Sequence, residues 1–157
     1  MKKIILLIAI VSISIGFTSC EVADPFVDRV ASPVLLLLEG SDGIPTSGLT
    51  TEPTIPSLIS TDAGAKLKVY ELDKSGILDK NIGIDSIPVS GLKISYKLRS
   101  GAIVSEVETD SKGVATFSAT WKALGIETPK AGTSVKLIAS GVYKEQSFSK
   151  YFIISGK

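Results

Sequence analysis

From Leu92 to Arg99 the chain reads LKISYKLR, apolar at every even position and polar at every odd one. A helix would scatter Leu92, Ile94, Tyr96 and Leu98 around its circumference, whereas a strand sets all four on one face. The same two-residue period runs through Ala65, Leu67 and Val69, alternating with Lys66, Lys68 and Tyr70 as far as Leu72, before Asp73-Lys74-Ser75-Gly76 turns the chain. It returns in Val135, Leu137 and Ala139, and the parity of Phe148, Phe152 and Ile154 predicts a last strand after a turn at Lys144-Glu145-Gln146. Between them, Ala102–Glu108 and Val114–Ala119 flank Thr109-Asp110-Ser111-Lys112-Gly113, an Asp-x-x-Gly turn that predicts a β-hairpin. Val34–Leu38 is a continuous apolar run between Pro33 and Gly40, short enough for a strand buried on both sides. Trp121–Gly125 suits one brief helical turn. About seven short strands with frequent turn signals predict an all-β sandwich.

Two stretches break the period. Ser41–Gly64 is rich in Ser, Thr and Gly, with Pro45, Pro53 and Pro56 spaced through it, and cannot sustain a helix or an internal strand. It is expected to be an exposed loop, with either a short edge strand near Ser57–Ser60 or disorder, and it is a candidate partner-binding surface. The second is the loop Ile77–Ile87. Asp79, Asn81 and Asp85 there invite a calcium reading, since hard cations want several oxygen ligands in one loop. The spacing does not match the EF-hand template, and turn chemistry explains the same residues.

The first twenty residues, MKKIILLIAIVSISIGFTSC, follow a different rule. Lys2 and Lys3 precede an apolar run from Ile4 to Ile15, and Gly16-Phe17-Thr18-Ser19 makes a weakly polar exit. This is the layout of a cleavable secretory signal helix, too short to span a bilayer core that needs ~20 apolar residues. The chain's one cysteine, Cys20, follows directly. The arrangement resembles the lipobox of bacterial lipoproteins, with Phe17 where leucine is commonest and Ser19 as the small residue before the cut. The resemblance implies cleavage between Ser19 and Cys20 and a palmitate-type lipid attached at Cys20. Residues 1–19 then form the signal peptide, 20–32 (acidic at Glu21 and Asp24) a tether, and 33–157 one domain.

Composition narrows the function further. The 17 basic and 16 acidic residues give a formal charge of +1, but Lys2 and Lys3 leave with the signal, so acids outnumber bases in what remains. Nucleic-acid binding has no electrostatic support. There is no histidine, which removes the commonest metal ligand and the usual general base near neutral pH. One cysteine permits no internal disulfide, so the apolar core alone must hold the fold. No nucleophile-elbow or similar constellation is present, and no catalytic residue, metal site or cofactor is expected. Glu106 and Glu108 share a strand face, as solvated surface carboxylates commonly do. Trp121, Tyr96, Tyr143 and Tyr151 are the candidates for a sugar-stacking platform, although parity puts Tyr96 on the apolar face.

Pro88-Val89-Ser90-Gly91 before a strand, and Glu108-Thr109-Asp110-Ser111-Lys112-Gly113-Val114-Ala115-Thr116-Phe117 after it, resemble the bacterial immunoglobulin-like repeats of invasin, intimin and related surface proteins. In that family a P-V-x-G step opens a central strand and a T-D-x-x-G-x-A turn joins the next two. The similarity spans about Ala65–Ser155, as one module and not a tandem array, with Ile77–Ile87 as an addition. It implies an immunoglobulin-like fold and a spacer, adhesin or accessory role. The expectation is a non-catalytic module, lipid-anchored at Cys20 in the outer membrane of a Gram-negative bacterium. An adhesin or glycan-binding module and an accessory subunit of an outer-membrane complex are the alternatives. The membrane face and the oligomeric state are left open.

Overall fold

The alternating segments fold as strands, and their apolar faces meet. A computed structural model describes residues 32–46 and 52–157. Among the described residues nine strands follow one another without a helix: β1 (Leu35–Gly40), β2 (Thr54–Ser57), β3 (Ala63–Asp73), β4 (Asp85–Pro88), β5 (Lys93–Leu98), β6 (Ile103–Glu108), β7 (Val114–Ala119), β8 (Ser134–Tyr143) and β9 (Gln146–Gly156). They form two sheets. In the first, β3 pairs with β1 on one side and with both β4 and β7 on the other; the second runs β2-β9-β8-β5-β6.

Val69 shows how β4 and β7 share one flank of the long β3. Its N–H donates to the Gly113 carbonyl at 2.8 Å, and its own carbonyl accepts from Val89 N–H at 3.0 Å. One residue thus hands the ladder from β7 to β4. Gly113 has φ +72, and a Cβ there would lie 2.6 Å from the Val69 carbonyl oxygen, so the hand-over needs glycine.

The core is where the period placed it. Ala65, Leu67 and Val69 of β3, Ile94 and Tyr96 of β5, Leu137 and Ala139 of β8, and Phe152 and Ile154 of β9 are fully buried, in one cluster fed by both sheets. Tyr96 sits at its centre: its ring centroid is 4.8 Å from that of Phe117 and 6.2 Å from that of Phe152. Its hydroxyl crosses to the opposite sheet and donates to the Ala115 carbonyl at 3.0 Å. Burial pushes the Tyr96 hydroxyl pKa up, so the group stays a neutral donor. Among the described residues no buried side-chain nitrogen or oxygen lacks a partner.

Three expectations change. First, the segment 109–113 does turn as its Asp and Gly require: Asp110 Oδ1 accepts the N–H of Lys112 at 2.8 Å and of Val114 at 2.9 Å. Yet β6 and β7 are not a hairpin, because β6 pairs with β5 while β7 crosses to β3 in the other sheet. Second, the described residues hold nine strands and not about seven. The additional ones have four residues each: β2 is the short edge strand that is one of two expectations for Ser41–Gly64, placed a few residues before Ser57–Ser60, and β4 overlaps the end of the stretch read as the loop Ile77–Ile87. β2 runs parallel to β9 at the sheet edge, where the missing N–H of Pro56 costs nothing. Third, β1 is not buried on both sides: Leu36 and Leu38 are buried, while Leu35 and Leu37 are half-buried.

Candidate functional site

Ser19 and Cys20, the predicted cleavage and lipid-attachment residues, lie outside the described residues, as do the signal 1–19 and most of the tether. The fold does fix where the described chain enters the sandwich. Leu35 opens β1 opposite Tyr70, near the C-terminal end of β3, so the chain enters at the end of the first sheet from which the loop after Asp73 departs.

That end is closed by polar groups. Glu71 and Tyr143 continue the inward-facing rows of β3 and β8 beyond the apolar core. The Tyr143 hydroxyl donates to Glu71 Oε2 at 2.5 Å, and Lys144 pairs with Glu71 Oε1. Lys144 and then Tyr143 hold the Glu71 carboxyl below its ordinary pKa. Lys144 (φ 48) and Glu145 (φ 66) form the two-residue turn between β8 and β9, the left-handed pair a primed hairpin turn demands. The closure is a clamp between the sheets; a carboxylate already neutralised by a lysine is a poor base.

Beyond it projects the loop between β3 and β4, tightly built from its own turns. Asp73 Oδ1 accepts from Ser75 N–H at 2.8 Å, Asp79 N–H donates to the Gly76 carbonyl at 2.9 Å, and Gly83 N–H donates to the Asp79 carbonyl at 2.8 Å. Asp79 Oδ1 accepts from Asn81 N–H and Asp85 Oδ1 from Ser86 N–H, both at 2.8 Å. One carboxylate oxygen each of Asp79 and Asp85, two of the residues weighed for calcium, thus serves the backbone. Among the described residues, no three or more His, Cys, Asp or Glu side chains gather in a way that could hold a metal ion. What the loop presents outward is aliphatic: Leu78 is 98% exposed, Ile82 68% and Ile77 55%, with Ile84 and Ile87 nearly half exposed. The residue types were visible in the sequence, five aliphatics among turn formers, but the segment has no two-residue period, and it reads as an inserted loop whose polar residues invite a calcium reading.

A second surface is the outer face of the five-stranded sheet, where a shallow groove of about 550 Å³ runs over β5, β6, β8 and β9. Lys93 Nζ lies 2.8 Å from Glu106 Oε2, and the Ser95 hydroxyl donates to Glu106 Oε1 at 2.7 Å. Lys93 first, and Ser95 second, lower the Glu106 pKa, which favours the charged carboxylate. Glu108 sits opposite Lys93 on the same exposed face.

The four aromatic candidates do not form a platform. Tyr96 is in the core; Trp121 is 5% exposed, its indole N–H donating to the Thr61 carbonyl at 3.0 Å. Tyr143 serves the clamp, and Tyr151 stands on the outer face with the Arg99 guanidinium 4.8 Å from its ring centre. Placed against known proteins, the chain, an all-β protein of two sheets, matches no family model, no curated protein and no solved structure.

Proposed function

We propose that this chain is an outer-membrane lipoprotein of a Gram-negative bacterium, held through Cys20, whose immunoglobulin-like module binds or supports and does not catalyse. The observation that carries the reading is the charged, apolar and small-residue sequence of residues 1–19 followed at once by the chain's one cysteine. The first strand supports it, because β1 begins only at Leu35, which leaves sequence between Cys20 and the sandwich for a tether. The turn at Thr109–Gly113 and the two-sheet architecture support the immunoglobulin-like assignment. Each buried acyl methylene is worth ~0.8 kcal/mol and two chains already anchor stably. The anchor supplies retention, and the module can bind weakly.

Metabolic labelling with an alkyne palmitate tests it. The wild-type chain is expected to carry label and to fractionate with the outer membrane, and Cys20→Ser to lose both; label retained in Cys20→Ser would overturn the anchor. A role as accessory subunit of an envelope complex is favoured by the outer edge of β6, which among the described residues pairs only with β5. Crosslinking in cells that traps a protein on β6 would establish that role.

A further inference from the structure

The geometry points to a second membrane contact: the loop from Lys74 to Ile84 seats its aliphatic side chains in the interfacial layer of the bilayer that holds Cys20. This inference rests on the lipid-anchor reading.

Three observations lead to it. Ile77, Leu78 and Ile82 are exposed together within a few residues, a contiguous apolar tip of the kind that marks a protein or membrane contact. The loop is also held open. Its turns are locked by the Asp73, Gly76 and Asp79 hydrogen bonds, and Ile82 packs over Gly76, where a Cβ would come within 2.2 Å of Ile82 Cγ2. The tip therefore cannot hide its side chains by folding back without breaking that network.

Position then selects the lipid as occupant. The tether joins β1 at Leu35, opposite Tyr70, and the loop leaves β3 after Asp73, about 10 Å farther along the same strand at ~3.3 Å per residue. The exit toward Cys20 and the root of the loop thus share one end of the first sheet. From Cys20 to Val34 an extended chain reaches at most ~50 Å. An anchored sandwich is thereby kept at a high effective concentration beside the bilayer, with the loop rooted at the end where the chain enters, and a contact too weak to capture a free protein still orients a tethered one. From Asp73 to Asp85 there are two lysines and three aspartates, so the contact is apolar and owes nothing to anionic headgroups.

The test uses the full lipidated chain in phosphatidylethanolamine–phosphatidylglycerol vesicles containing acyl-brominated phosphatidylcholine. Leu78→Trp places a reporter on the tip, and Ile103→Trp places one at the far end of the sandwich, where β6 begins; both sites are exposed, so neither substitution disturbs the core. Brominated lipid is expected to quench the emission added by Leu78→Trp at least twofold and to leave that of Ile103→Trp unchanged. The quenching is expected to be the same with and without phosphatidylglycerol. A chain that floats with the vesicles but shows no quenching at Leu78 overturns the loop contact and leaves the anchor intact. A chain without acyl label that fails to float overturns both. Dimers in detergent that Leu78→Asp abolishes would instead make the tip a self-association surface and overturn the proposal.

Discussion

Tyr96 ties the two sheets together through a single hydroxyl. The Ala115 carbonyl it reaches belongs to the strand that pairs with β3, so the bond fixes how β5 sits over β7. Removing it leaves a buried carbonyl with one partner fewer, a loss of about 1 kcal/mol by the usual worth of such bonds. Tyr96→Phe is therefore expected to lower the urea midpoint by that equivalent with an unchanged slope, while retaining the ring packing against Phe117 and Phe152. An unchanged midpoint would show that the rings alone set the register of the sheets. Much of this was legible in the sequence: the period from Leu92 to Arg99 placed Tyr96 inside. Its partner was not, because nothing local in the chain says which strand lies across the core.

At the scale of elements, the division is between turn chemistry and pairing. Asp110 and Gly113 are read correctly as a turn, since the carboxylate that accepts two backbone N–H groups and the residue at positive φ are local requirements. The destination of β7 is a tertiary matter, decided by the free flank of β3. The short strand β4 escaped for a similar reason, and β2, expected as an edge strand near Ser57–Ser60, lies a few residues earlier: four residues carry little periodicity, and their ladders come from β3 and β9. The insertion loop escaped in another way, since its aliphatic residues serve an outside surface and the core pattern cannot report them. Gly113→Ala tests the hand-over at Val69. Left-handed strain and the 2.6 Å approach together predict a loss of at least about 2 kcal/mol in equilibrium unfolding. A loss below half that would mean that β4 and β7 can part without cost.

For the whole molecule, the clamp of Glu71, Tyr143 and Lys144 makes one end of the sandwich sensitive to acid. The folded state lowers the Glu71 pKa, so its contribution is complete above the ordinary carboxylate range and is lost as pH falls through that range and then through the lower folded value. Thermal midpoints of the wild-type protein are expected to fall between about pH 5 and about pH 3. Glu71→Gln is expected to show a shallower fall, because its amide does not titrate. Glu106 and Asp110 are lowered as well, so part of the slope should survive the substitution. Parallel pH curves for the two proteins would remove Glu71 from the account.

The placement of the first and last strands has a mechanical consequence. β1 starts at the clamped end, whereas β9 finishes at the opposite one, beside Ser57 and the start of β3. Tension between an N-terminal anchor and a load on the last strand would therefore run along the strands. The ladder from Leu35–Tyr70 to Gly40–Ala65 would be sheared as a block, and not peeled open rung by rung. A module loaded in this way would resist drag along its strands.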